Sequence, residues 1–271
     1  MNFVCPKCYE KLNIQPDGRA VCPKGHSFDK SRFGYYNLFL TSVGGTHGDN
    51  REMVDARRTF LDTGAYFPLA DRVAELAAEA FPRGGVMLDV GLGEGYYTSV
   101  ISDRLKGSVG ELSILGFDIS KDAARYAKKR CPDVEVAVAS AYKMPLSDSS
   151  VDLVTNVFSP LALEETVRVL RSGGRFIMAV PDVYHLWELK SLLYKTPYKN
   201  ELSDTELKGL RLVFESRVST VLDLDMQEKV KSLFMMTPYA YRTPTEARER
   251  LFKTESLKVR AEFVVFVYEK P

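Results

Sequence analysis

The sequence predicts an α/β protein: a doubly wound parallel sheet with a small cysteine-bearing module ahead of it. Three observations carry this. Val86–Thr98, VMLDVGLGEGYYT, reads as a buried strand, a turn holding Gly91, Gly93 and Gly95, and a helix opening at Tyr96. Beyond it, short apolar strands alternate with helical segments, the pattern of a parallel sheet with crossover helices. Three of the four cysteines fall within the first 22 residues, well ahead of that pattern.

At 271 residues the chain can bury a substantial core, and its length suits one large domain plus a small one. Its composition, 45% hydrophobic and 27% charged, is that of an ordinary globular protein. The net charge of +1 excludes a polycationic surface, so any nucleic-acid contact must come from local patches. No apolar run approaches the ~20 residues that cross a bilayer. The start, MNFVCPKC, lacks the charged and apolar regions of a signal peptide, and a soluble cytoplasmic protein is expected.

Residues 1–40 form the first unit. Cys5-x2-Cys8 is followed by thirteen residues and then Cys22-x3-His26, two knuckles that present three thiolates and one imidazole. That donor set suits tetrahedral zinc in a closed structural site. Phe3, Val4, Leu12, Val21 and Phe28 are too few to hold such a module, and bound metal can supply what is missing. The unit carries six Lys/Arg against three Asp/Glu, interleaved with Phe33, Tyr35, Tyr36 and Phe39. Cations beside rings suit RNA, although the same rings could pack the module against its neighbour.

A linker and helix are expected over residues 41–65. TSVGGTHGDN at 41–50 is Gly-rich and polar, and a helix is expected over about Arg51–Asp62. The main domain then runs over 66–271. It opens with a helix at about Pro68–Ala80, where Leu69, Val73, Leu76, Ala77 and Ala80 recur at helical spacing. Strands are expected at Val86–Val90, Ser113–Asp118, Val134–Ala139, Val151–Phe158 and Arg175–Val180, the last after a turn at Ser172–Gly174. Helices are expected between them at Lys121–Lys129 and Leu163–Leu170. Further on come a helix at His185–Tyr194, a strand near Leu210–Leu222, and helices around Asp225–Phe234 and Thr245–Phe252. The last strand, Ser256–Tyr268, alternates as a strand with an antiparallel edge partner would.

The chemistry centres on the glycine turn. Asp118 lies 23 residues after Gly95, at the carboxyl end of the second strand, where an acid can accept both hydroxyls of a ribose. A dinucleotide site would share that acid. Here the turn reads Gly91-Leu92-Gly93-Glu94-Gly95, and a carboxylate inside it would repel a pyrophosphate but attract an ammonium. S-adenosylmethionine therefore fits better than a nicotinamide dinucleotide.

Leu88–Thr98 and Val169–Val180 resemble the first motif and the turn before the fifth strand of class I S-adenosylmethionine-dependent methyltransferases, implying a Rossmann-like sheet. The two knuckles, Phe28–Leu38, ARRxFLxxGxYxPL at Ala56–Leu69, GEGYYT and HLxELKxLLY at His185–Tyr194 recur in order. Together these resemble the bacterial 23S rRNA (guanine-N1)-methyltransferases. That resemblance implies methylation of a guanine in a hairpin loop near the peptide exit tunnel, and one branch of the family confers resistance to tylosin-type macrolides. It implies zinc at Cys5, Cys8, Cys22 and His26, and cofactor contacts from Tyr66, Gly93, Glu94 and His185 in the Gly91–Gly95 frame. A homodimer enclosing the hairpin is consistent with it. Leu92 departs from the family, which usually has Cys there.

The catalytic group is open. Asn156, at the end of the fourth strand, is a candidate acceptor-side residue, and Phe158 could stack on a flipped base. Two other classes share parts of the pattern. A small-molecule methyltransferase would share the central domain without needing the knuckles. A non-catalytic zinc RNA-binding protein would not need Gly91–Gly95 with Asp118.

Overall fold

The structure is a computed structural model that describes residues 1–40, 48–81, 85–106, 111–202, 205–241 and 243–271. Most of the expected 41–50 linker lies outside the described residues. The N-terminal unit holds β1 (Asn13–Ile14), β2 (Ala20–Val21) and β3 (Ser27–Phe28), an antiparallel sheet in that order. Strand β4 (Tyr36–Asn37) leaves that unit to pair in parallel with β7 (Glu135–Val138), so the module contributes an edge strand to the main sheet.

Helices α1 (Arg51–Leu61) and α2 (Phe67–Ala80) follow, near their expected bounds. Asn50 caps α1 by accepting from the Met53 amide, and Pro68 sits where the first turn of α2 needs no N–H donor. Then come β5 (Gly85–Val90), α3 (Tyr96–Leu105), β6 (Leu112–Asp118), α4 (Lys121–Arg130) and β7. They are followed by β8 (Val151–Val157), α5 (Leu163–Val169), β9 (Leu170–Pro181) and α6 (Trp187–Leu193). The chain closes with β10 (Arg211–Leu224), α7 (Gln227–Met235), a 3-10 turn at Pro238–Tyr241, α8 (Thr245–Phe252) and β11 (Leu257–Glu269).

The main sheet has eight strands in the order β10-β11-β9-β8-β5-β6-β7-β4. The run from β9 to β4 is parallel, and β11 pairs antiparallel with both β9 and β10. Strand order reverses between β5 and β8, which opens a crevice at their carboxyl ends. The Gly91–Gly95 turn stands over that crevice.

Alternation along the strands feeds two cores. On one face Met87, Ile177 and Phe263 join helices α1–α4 and α6–α8 through Phe60, Leu69, Ile101, Ala124, Leu189, Val230 and Leu251. On the other, Leu88, Phe117 and Phe266 pack with Met144 and Leu146, with Val169 of α5, and with Phe3, Leu12 and Phe28 of the N-terminal module. The module therefore covers sheet surface that crossover helices cover in a two-sided doubly wound fold.

Two strands differ from expectation. The turn at Ser172–Gly174 lies within β9, because Gly173 donates to the Lys270 carbonyl and Gly174 accepts from the Lys270 amide. The alternation of β11 holds only in its first half. From Phe263 to Tyr268 every residue is buried, since β11 lies between β9 and the edge strand β10 with cores on both sides.

Candidate active site and metal centre

The turn after β5 is shaped by close approach. A side chain at Gly91 (φ +71°) would collide with the Ser159 hydroxyl of the loop after β8. One at Gly95 (φ +87°) would meet the Ala127 backbone of α4 at 3.1 Å. Gly95 ends the turn as the N-cap of α3 with no side-chain cap, so the first amides of α3 are open toward the turn. Behind it, Asp89 accepts from Thr98 Oγ1 at 2.5 Å and Thr155 Oγ1 at 2.9 Å, tying β5 to α3 and β8. Burial pushes the Asp89 carboxyl up to about 6. Leu92 packs on Gly116, whose lack of a side chain makes the room.

A cavity of about 730 Å³ lies over the crevice, and Tyr66, Gly91, Gly93, Glu94, Asp118 and His185 all line it. Asp118 Oδ2 accepts from the Gly93 amide at 3.0 Å and Oδ1 from the Ser120 amide at 2.8 Å. These bonds fix the carboxylate and leave lone pairs for a diol. Burial raises its pKa above the ordinary range.

Glu94 is 2% exposed. Its Oε2 accepts from Arg130 Nε at 2.8 Å, and Arg130 also reaches Asp62 at 2.6 Å. Among the described residues Oε1 has no hydrogen-bond partner, and neither has the buried Tyr97 hydroxyl. Both residues line the cavity. A buried acceptor without a donor costs free energy, and a ligand ammonium would satisfy it. The residues thus fit the methionine end of S-adenosylmethionine, with Asp118 at the ribose end.

The opposite wall is aromatic. Tyr66 opens α2, and its hydroxyl lies 3.5 Å from His185 Nε2. His185 Nδ1 faces the Glu262 backbone, 2.9 Å from its carbonyl oxygen and 3.2 Å from its amide nitrogen, which anchors the ring. Burial lowers the His185 pKa to about 4, so the ring is neutral near pH 7. Phe158 stands at the mouth, 40% exposed, with a left-handed backbone (φ +57°). Its ring lies 6.0 Å from Tyr97 and 6.4 Å from Tyr66. Leu186, beside His185, is left-handed as well (φ +53°), so backbone strain gathers at this wall.

Asn156 is not among the residues lining the cavity. It is buried, and its Nδ2 donates to the Pro160 carbonyl at 3.2 Å, holding the loop that carries Phe158 and Ser159. Sequence reasoning missed Arg57, Tyr97 and the Met236–Tyr239 segment, which also line the cavity. Arg57 and Tyr97 lie inside stretches already singled out. Nothing local marks Met236–Tyr239, which long-range packing brings to the site.

The two knuckles converge as expected. One ligand atom from each of Cys5, Cys8, Cys22 and His26 lies within 4.8 Å of all the others. Cys8 Sγ and Cys22 Sγ are 3.7 Å apart, and His26 Nδ1 is 3.4 Å from both Cys5 Sγ and Cys22 Sγ. Bonds of ~2.3 Å to sulfur and ~2.05 Å to nitrogen at tetrahedral angles require about 3.8 Å and about 3.6 Å. A disulfide would need about 2.05 Å. The four donors fit zinc.

Residues 88–178 match the family described as "Methyltransferase domain", and residues 3–40 match the zinc-ribbon family described as "RlmA, N-terminal". A Micromonospora griseorubida protein, provisionally named as a 23S rRNA (guanine-N(1)-)-methyltransferase, is 34% identical over 261 residues, covering 88% of this chain and 86% of its own length. The Streptomyces fradiae 23S rRNA (guanine(748)-N(1))-methyltransferase is 30% identical over 274 residues, covering 98% and 96%. Among solved structures, a Bacillus halodurans protein provisionally named as a methyltransferase shares the fold at 17% identity and TM-score 0.51, covering 73% of this chain and 98% of that one. A chain from the complex of the Haloferax volcanii Trm112 activator with a methyltransferase does so at 22% and 0.51, covering 83% and 100%.

Proposed function

The chain belongs to the family of 23S rRNA (guanine-N1)-methyltransferases, and on that premise we propose that it methylates N1 of a guanine in a hairpin loop of 23S rRNA. One observation carries the cofactor half of this reading. The partnerless Glu94 Oε1 and the amide-fixed Asp118 line one cavity beside the glycine turn.

Bound S-adenosylmethionine supplies a methyl group on a sulfonium, already an excellent leaving group. The protein's work is then chiefly alignment, with the N1 proton of the guanine passing to a base as the methyl moves from sulfur to nitrogen. Glu94 holds the ammonium, Asp118 the ribose hydroxyls, and Tyr66 with His185 closes the aromatic wall. A neutral His185 does not repel a cationic cofactor, so the burial that keeps its ring uncharged serves binding. Phe158 offers an exposed face at the mouth on which a flipped guanine can stack. Asn156 acts by holding the loop that presents Phe158. The structural zinc fixes the N-terminal module, and an rRNA substrate puts the reaction in the cytoplasm.

The test is methyl transfer from labelled S-adenosylmethionine to unmodified 23S rRNA, with the product nucleoside identified by mass. N1-methylguanosine is expected. Cofactor binding without incorporation into rRNA would overturn the reading in favour of a small-molecule acceptor. Resistance to tylosin-type macrolides is tested by expressing the chain in a sensitive host lacking this modification. A pair of copies around one hairpin is tested by the mass of the enzyme–RNA complex in solution.

A further inference from the structure

The N-terminal module meets α4 and α1 through an alternating row of cations and rings. Arg32 lies 4.7 Å over the Phe33 ring, and Arg125 of α4 lies 4.5 Å over the same ring. Arg125 also lies 5.5 Å from the Tyr126 ring, with Arg58 of α1 5.2 Å from it. The order is Arg32–Phe33–Arg125–Tyr126–Arg58.

These guanidinium groups are held mostly by ring faces rather than by acids. Among the described residues, Arg32 and Arg125 have no carboxylate within salt-bridge reach. Arg58 has only Asp62 at 3.6 Å, and Asp62 bonds Arg130 more closely at 2.6 Å. On α4, Lys121 and Lys129 stand four residues either side of Arg125, are exposed, and have no ion pair among the described residues. Like charges at that spacing destabilise a helix, and an anionic partner would relieve the repulsion. The row leads toward the candidate active site, since Asp62 joins Arg58 to Arg130, which bonds the cavity-lining Glu94.

We propose that this row, with Lys121 and Lys129, is the track on which the RNA backbone lies between the zinc module and the active site. The inference rests on the rRNA reading above. Guanidinium forks positioned by rings, two of the three without an acidic partner among the described residues, suit phosphates spaced along a strand. The 37% exposed Phe33 adds a face for an unpaired base. The zinc module thereby contributes to RNA binding by setting Arg32 and Phe33 against α4.

The test uses the full-length, zinc-loaded protein and an unmodified 23S rRNA transcript, with binding measured at several salt concentrations. Replacing two phosphate contacts in Arg32→Gln/Arg125→Gln should weaken RNA binding about tenfold and make the slope of log K against log salt shallower by about 1.4. The affinity for S-adenosylmethionine should not move. Lys258→Gln, on β11 toward the other end of the sheet, should leave RNA binding unchanged. If the double variant loses thermal stability, Lys121→Gln/Lys129→Gln, which alters exposed side chains only, must produce the same two changes. RNA affinity and salt slope equal to wild type in these variants, with a wild type that binds and methylates rRNA, would refute the track and leave the rRNA reading standing. A wild type that neither binds nor methylates the transcript would overturn both.

Discussion

Glu94→Gln separates the two ends of the proposed cofactor site. Glu94 is buried, with one oxygen held by Arg130 and the other without a partner among the described residues. An amide keeps the shape and can still accept from Arg130, which also retains Asp62, so the turn should stay folded. What is lost is the charge facing the ligand ammonium. A hydrogen bond to a charged group contributes about 1.5–3 kcal/mol, or about tenfold to a hundredfold in Kd. Titration calorimetry should show that loss for both S-adenosylmethionine and S-adenosylhomocysteine, which share the ammonium. Methylthioadenosine keeps the nucleoside and sulfur but lacks the amino-acid end, and its affinity should not change. Burial raises the Glu94 pKa, so wild-type cofactor affinity should start to fall on acidification at a higher pH than an ordinary glutamate would set. In the Gln variant only the limb set by Asp118 should remain. Equal weakening of all three ligands, or of none, would refute the role.

Three further outcomes follow from the same geometry. Tyr97→Phe removes a buried hydroxyl without a partner, so the free protein should gain about 1 kcal/mol in urea unfolding while its cofactor or rRNA affinity falls. Asp89 has its folded pKa raised to about 6, above its unfolded value, so its contribution is fully present below about pH 4 and is lost as pH rises through 6. The stability of wild type relative to Asp89→Asn should therefore drop by about 2 kcal/mol between pH 4 and pH 7. Cys22→Ser removes one zinc ligand, and 1:1 zinc in wild type should fall to substoichiometric zinc by atomic emission, with loss of the module's hydrogen-exchange protection.

What was legible in the sequence is what short stretches encode by themselves. The knuckle donors, the glycine turn and the acid ending β6 each depend on a few adjacent residues, and the structure gathers the four donors at one point and the turn with its acid at another. The same locality explains α1 and α2, whose caps and apolar spacing lie within each helix. Partners supplied from a distance were not legible. The oxygen of Glu94 left open for a ligand is defined only because Arg130, 36 residues on, occupies the other. Asn156 reads as an acceptor-side residue until the loop folds back and takes its amide at Pro160.

The division between module and sheet is the clearest case of this. Sequence places a boundary at residue 40, where the cysteine-bearing stretch gives way to a Gly-rich one. Yet Tyr36 and Asn37 lie in register with Ala137 and Val138, and the Leu38 amide donates to the Val138 carbonyl at 2.9 Å. One residue further, the Ala139 amide donates to the carbonyl of Asp118, the proposed ribose ligand. The Val4 amide meets the Pro145 carbonyl in the segment after Ser140–Tyr142, which lines the cavity. Two residues of extended backbone carry no periodicity that could announce a strand, and their parallel partner lies about a hundred positions away. A parallel pair this short has little stability alone, and the core shared by Phe3, Leu12 and Phe28 with Leu88 and Phe117 holds it. The metal that folds the knuckles therefore also braces the strand edge beside the cofactor cavity.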